Sequence, residues 1–242
     1  MAFQFALVLT LLAALFTFAF QQIQYHWNWN APWRYRNLFW TGWLTTIALA
    51  LSSLVLSTLL GVVSALASRS RLLTLRAASR LYVELIRGTP FLVQILVFFY
   101  VVAPAFKLEN RFVAGMISLA VFAGAYITEI IRSGIDGVGA SQWETARSLG
   151  LTHAQTYRYV VFPQALRQML PPLAGQFVSL IKDSSLLSVI GIGEFALNAQ
   201  QVNSLTYSTL ESYLPLTVGY LVLTLPLSIW VRRLERHAHF DT

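Results

Sequence analysis

Long apolar runs separated by short, arginine-bearing polar stretches set the pattern of this chain. A membrane-spanning helix needs about 20 mostly apolar residues. Runs that meet or approach this length lie at roughly 2–20, 41–67, 91–106, 112–131, 165–190 and 213–231. The second is the clearest, because "WTGWLTTIALALSSLVLSTLLGVVSALA" contains no charged residue. The fifth is the most polar and carries Gln168, Gln176, Lys182 and Asp183. The first lacks the basic leader and small-residue cleavage site of a signal peptide, so it is read as a retained helix. The pattern predicts an all-α, polytopic membrane protein.

Composition agrees with that class. Of 242 residues 56% are hydrophobic and only 11% charged, with mean hydropathy +0.60. A soluble domain of this size needs more charge to cover its surface. The net charge of +7 therefore reads as loop charge on a membrane protein rather than as a nucleic-acid footprint. With no cysteine, disulfides, thiolate metal sites and thiol nucleophiles are excluded. If the N-terminus is cytoplasmic, Arg69, Arg71, Arg76, Arg80, Arg87, Arg132, Arg147, Arg158, Arg167, Arg232, Arg233 and Arg236 share the cytoplasmic side. The outer loops then hold Arg34, Arg36, Lys107 and Arg111, and Lys182 lies within a run, giving 12 against 4 with 1 undecided. That asymmetry predicts both termini in the cytoplasm. Trp27, Trp29, Trp33, Trp40 and Trp43 cluster where amphipathic rings meet the outer membrane–water interface.

One cytoplasmic stretch, "ETARSLGLTHAQTYRYVVFPQA" (144–165), follows a different grammar. Ser141-Gln142-Trp143-Glu144 reads as a capping box opening a helix that runs to Leu149, where Gly150 supplies a left-handed end. Thr152-His153-Ala154-Gln155 reads as a second capping box, opening a helix to Phe162 that Pro163 breaks or kinks at the entry to the next span. Each helix is about 12–15 Å long, too short to cross a bilayer of about 30 Å. Trp143, Ala146 and Gly150 give the first helix one apolar or small face. On these features alone a plain connecting hairpin and a docking element are both open.

Four stretches together resemble the permease subunits of polar amino acid ABC importers. Glu144-Thr145-Ala146, Gly150 and Val160-x-Phe162-Pro163 are similar to the EAA coupling loop of that family, with Thr145, Val160 and Phe162 as mild departures. "ELIRGTPFLVQI" (84–95), "GAYITEIIRSGI" (124–135) and "LIKDSSLLSVIGIGE" (180–194) are similar to three of its core segments, in order. The resemblance implies a five-span type I importer core over 38–236, with a coupling loop at 134–164 and a cytoplasmic tail at 237–242. Residues 1–37 would form an extra N-terminal transmembrane helix and a Trp-rich outer loop. It also implies two ATPase subunits, a second permease subunit, an extracytoplasmic substrate-binding protein, an amino acid substrate, and residence in the bacterial inner membrane. ATP and Mg would be bound by the partner ATPase, because this chain has no GxxxxGK[ST] phosphate loop. Neither Lys107 nor Lys182 follows a glycine, so the chain is expected not to be an enzyme.

Polar residues inside spans usually face a bundle interior or an aqueous path. Gln94, Thr128, Glu129 and Asp136 are therefore candidates for the substrate path. Against this, Glu129 could pair with Arg132, Asp136 could lie in water beside it, and Gln94 could cross-link helices. Lys182 and Asp183 are candidates for an outer gate or a neutralised pair. The Arg69–Arg87 run reads as topology-setting charge, and "RGTP" (87–90) as a stop and restart of helices around Pro90. An intramembrane hydrolase is disfavoured, since His26, His153, His237 and His239 all fall in expected loops or tails. An ion-gradient-driven carrier or channel fits the composition, but no internal repeat of the kind such carriers often show is evident.

Overall fold

A computed structural model describes residues 2–22 and 25–238. The described chain is helical, and its longest helices coincide with the apolar runs. The N-terminal run forms α1 (Ala2–Gln22), and the tryptophan-rich stretch contains a short α2 (Asn30–Arg34). Four later helices are long and apolar enough to cross a membrane: α3 (Arg36–Ser68), α6 (Arg111–Asp136), the helix running from His153 to Ile190, and α11 (Thr209–Ala238). A further apolar stretch is long enough to cross only when its two halves are taken together, and it is sharply bent. Helix α4 (Leu73–Arg87) and helix α5 (Phe91–Ala105) meet at 109°. Gly88 ends the first and Pro90, extended at ψ 135°, starts the second, so "RGTP" is the stop and restart its residues imply. The final helix runs through Ala238; of the tail expected at 237–242, residues 239–242 lie outside the described residues.

Helices α3 and α6 pack along their lengths and form the centre of the bundle. Apolar surface alone gives little reason for helices to associate in lipid; close packing does. Accordingly α3 buries Gly42, Thr46, Ala50, Ser53, Ser57, Gly61 and Ala65, and α6 buries Gly115, Ser118, Ala120, Ala123 and Gly124 among others. A methyl group added at Gly61 would lie 2.4 Å from Ile127 Cγ2, so no larger residue fits without a shift. Larger side chains complete the core beside this seam: Leu49, Ile95, Leu119, Leu180 and Leu187 are fully buried. Burial is 56% over the apolar window of α6 and 6% over that of α11, which makes α6 central and α11 peripheral.

One element has no counterpart in the apolar pattern. Helix α10 (Phe195–Thr206) is too short and polar to register as a run, yet it lies buried against α3 and α11. Glu194, with no exposed surface, caps it by accepting the N–H groups of Ala196 (2.9 Å) and Leu197 (2.7 Å) and the Tyr220 hydroxyl (3.1 Å). A second buried carboxylate, Glu211, accepts the Tyr25 hydroxyl and the Asn28 N–H, and Tyr25 in turn accepts the Leu210 N–H at 3.2 Å. Burial and this carboxylate push the Tyr25 phenol above its ordinary pKa. The tryptophan-rich segment is thereby tied to the start of α11, with Trp27 and Trp29 stacked at 5.8 Å.

Candidate coupling hairpin and translocation residues

The polar stretch after α6 folds as a compact hairpin. Its first helix, α7, spans Ala140–Ser148 with Gly139 as N-cap and no side-chain cap. The capping box expected at Ser141 is therefore not formed. Val138, 4% exposed, is clamped against Val161, Ala165 and Met169, which fixes where the chain enters the helix. Ser141 is already the second helical residue, a position from which its hydroxyl cannot cap. The helix end follows the sequence more closely. Gly150 sits at φ +74°, its N–H reaches the Arg147 carbonyl (2.9 Å), and the Leu151 N–H reaches the Ala146 carbonyl (3.1 Å). These paired bonds form a Schellman end, and glycine enters the left-handed region without steric cost.

The second half opens on the capping box expected at Thr152. The Thr152 hydroxyl accepts the Gln155 N–H (3.3 Å), and Gln155 Oε1 accepts the Thr152 N–H (2.9 Å). The short helix α8 (His153–Thr156) does not stop at Pro163. It passes through five π-helical residues, Tyr157–Val161, straight into α9 (Phe162–Asp183). Proline at the head of α9 supplies no N–H to the preceding turn, and a π-helical turn is one way to absorb the missing bond. The expected break is thus a local widening, and the hairpin's second arm continues into the span as one helix, with Pro171 and Pro172 further along it.

Tertiary contacts lock the arms together. Trp143 packs against His153 (6.0 Å between ring centroids) and Tyr157 (6.1 Å), and Gln164 Nε2 donates to Gln142 Oε1 at 3.2 Å. Ala146 is buried, whereas Glu144, Thr145, Gly150 and Pro163 are exposed and Val160 is half-buried. Leu149 (75% exposed), Tyr159 (63%) and Phe162 (51%) leave an apolar rim on the hairpin. Val138, Val161 and Met169, which anchor it beneath, carry no sequence signal apart from being apolar.

The candidate path residues are all engaged by their surroundings. Gln94 Nε2 donates to the carbonyls of Ile86 (2.7 Å) and Thr89 (3.0 Å) across the α4–α5 break. It also edges an apolar groove with Val97, Phe98, Ser118 and Val121. Thr128 is buried and its hydroxyl donates to the Gly124 carbonyl at 2.8 Å. Glu129 accepts from Arg132 Nε at 3.1 Å and lies 3.9 Å from Arg87. Asp136 pairs with Arg132 (3.0 Å) and with Arg69. The carboxylates therefore serve as links in a ladder that joins the ends of α3, α4 and α6. Arg69 and Arg87 are the members that sequence separation concealed. Lys182 is exposed and Asp183 half-buried; the ion pairs among the described residues do not include them. Among those residues no cluster of metal-ligating side chains occurs.

Comparison with known proteins matches this arrangement. The family model described as "Binding-protein-dependent transport system inner membrane component" matches residues 57–239. The Glutamine transport system permease protein GlnP of Escherichia coli (strain K12) is 33% identical over 211 residues, covering 86% of this chain and 96% of its own. The L-cystine transport system permease protein TcyB of Bacillus subtilis (strain 168) is 41% identical over 160 residues, 66% of this chain and 68% of its own. A crystal structure of an amino acid ABC transporter with histidines superposes with a TM-score of 0.81 at 36% identity, covering 88% of this chain and all of that one. The chain therefore belongs to the binding-protein-dependent transport system inner membrane component family and is the permease subunit of an ABC importer.

Proposed function

We propose that this permease carries polar amino acids across the bacterial inner membrane, and that the 141–163 hairpin receives the movement that ATP hydrolysis generates in a separate subunit. The observation that carries this reading is the unbroken helix from His153 to Ile190, which makes the hairpin's second arm and the span one lever. A push on exposed Leu149, Tyr159 and Phe162 would pass along this continuous helix toward the membrane, with Pro171 and Pro172 lying within it. Glu144, exposed on the same hairpin, would accept a hydrogen bond or ion pair from the partner, and Thr145, Ala146, Gly150, Val160, Phe162 and Pro163 complete the coupling loop. The names of the relatives, glutamine for one and L-cystine for another, support an amino acid as cargo.

The assembly consistent with this reading has two ATPase subunits, which bind ATP and Mg, a second copy of this or a similar permease, and an outer substrate-binding protein. The permease unit is 38–236, with α1 as an additional crossing and both termini cytoplasmic. Of the path candidates, Glu129 borders an open cavity, where its carboxylate is already engaged by Arg132. Lys182 and Asp183 fall near the outer end of their span.

The test is purification of the tagged chain from its native membranes, with Gly150→Pro alongside. Proline cannot adopt φ +74° and removes the N–H that Arg147 accepts. Wild type is expected to bring down an ATPase with vanadate-sensitive hydrolysis, and the variant to lose or uncouple it while the spans stay folded. An ATPase held and coupled equally by the variant would refute the hairpin's role.

A further inference from the structure

We infer that a basic cavity between α4 and α6 is a binding site for the phosphate of an anionic lipid headgroup in the cytoplasmic leaflet. The cavity, of about 490 Å³, is lined by Arg76, Arg80, Arg87 and Arg132 together with Glu84 and Glu129. Both carboxylates already accept from arginines: Glu84 from Arg80 at 2.8 Å, and Glu129 from Arg132 at 3.1 Å. Four positive charges against two leave a surplus of two on the cavity wall. Asp136, outside the lining, pairs with Arg132 and with Arg69; counting Arg69 and Asp136 as well, five positive charges stand against three and the surplus of two is unchanged.

Charge balance selects the ligand. A zwitterionic amino acid brings no net charge, and its ammonium would enter among guanidinium groups whose carboxylate neighbours are already occupied. A phosphate brings the missing negative charge and several acceptor oxygens, which guanidinium forks engage two at a time. The setting then separates a lipid from a free phosphate. Helix α4 turns away from α5 by 109°, so if α5 crosses the bilayer, α4 lies close to the membrane plane. Its inner face packs through Ser79, which is buried, and Tyr82, whose hydroxyl reaches the Val121 carbonyl at 2.6 Å. Beside the basic stripe, Leu81 (58% exposed) and Leu85 (57%) present apolar surface. An in-plane helix with arginines next to exposed leucines has the character of an interfacial element, and basic pockets at this depth suit anionic headgroups. The inference rests on the membrane orientation, not on the identity of the cargo.

Native mass spectrometry of the full-length chain in neutral detergent tests it, with phosphatidylglycerol, phosphatidylcholine or inorganic phosphate added at equal concentration. Phosphatidylglycerol is expected to remain bound in preference to phosphatidylcholine. Arg76→Gln with Arg80→Gln should weaken its retention by about tenfold or more, on the scale of adjacent basic residues at a membrane surface. Arg232→Gln with Arg236→Gln, which removes the same charge from the end of α11, should leave retention unchanged. Arg80→Gln alone, at a side chain 80% exposed, should fold normally and give an intermediate loss. Equal retention of the two lipids, equal loss in both double variants, or an inorganic phosphate adduct as persistent as the phosphatidylglycerol one would each overturn the assignment.

Discussion

Small residues carry the packing of this protein, and single substitutions at them have large expected effects. Gly61 faces Ile127 at the α3–α6 seam, with 2.4 Å available where a side chain would begin. Gly61→Leu forces the two central helices apart, and overpacking of this kind typically costs about 1–3 kcal/mol. A lowered melting temperature in detergent is the expected result; an unchanged one would mean the seam is looser than described. Glu194 is the polar counterpart. Glu194→Ala leaves the N–H groups of Ala196 and Leu197 and the Tyr220 hydroxyl without their acceptor, a loss of about 1–3 kcal/mol. Glu194→Gln keeps one carbonyl acceptor and should recover part of that stability in the same melt. Neither role is visible one residue at a time. In the sequence Glu194 only closes the stretch "LIKDSSLLSVIGIGE", and the fold alone shows it buried at a helix start.

Among the elements, the hairpin shows which features local chemistry decides. Gly150 and the Thr152–Gln155 box are settled by residues within one turn of each other, and their geometry follows from their identities. The start of α7 is settled instead by Val138 packing on Val161, Ala165 and Met169, distant residues that displace the expected cap at Ser141. Pro163 announces a discontinuity, but whether it makes a hinge or a π-helical turn depends on how the arms pack around Trp143. The same reasoning explains α10 and the arginine ladder. Burial makes the former a helix, and Arg69 meets Asp136 only because α3 and α6 end side by side. If the box holds α8, Thr152→Ala should destabilise that turn by about 1 kcal/mol. Hydrogen exchange at 153–157 should then rise severalfold while α6 is unaffected; unchanged exchange would mean that packing alone secures the arm.

At the scale of the whole molecule, orientation links the arginine asymmetry to the hairpin. The absence of cysteine makes the chain a clean background for labelling. Tyr159→Cys, on the hairpin at 63% exposure, should react with an impermeant maleimide only after the cells are permeabilised. Tyr207→Cys, at 90% exposure between α10 and α11, should react from outside in intact cells, subject only to shielding by a bound partner. The reverse pattern would invert the topology and remove the hairpin from the ATPase. Energy source is the claim on which the whole account turns. The most direct measurement is uptake of a panel of radiolabelled polar amino acids into proteoliposomes holding the purified complex, with the substrate-binding protein on one side and ATP on the hairpin side. The account predicts uptake that requires ATP and survives collapse of ion gradients. Uptake driven by an ion gradient through this chain alone, with no ATPase present, would contradict it.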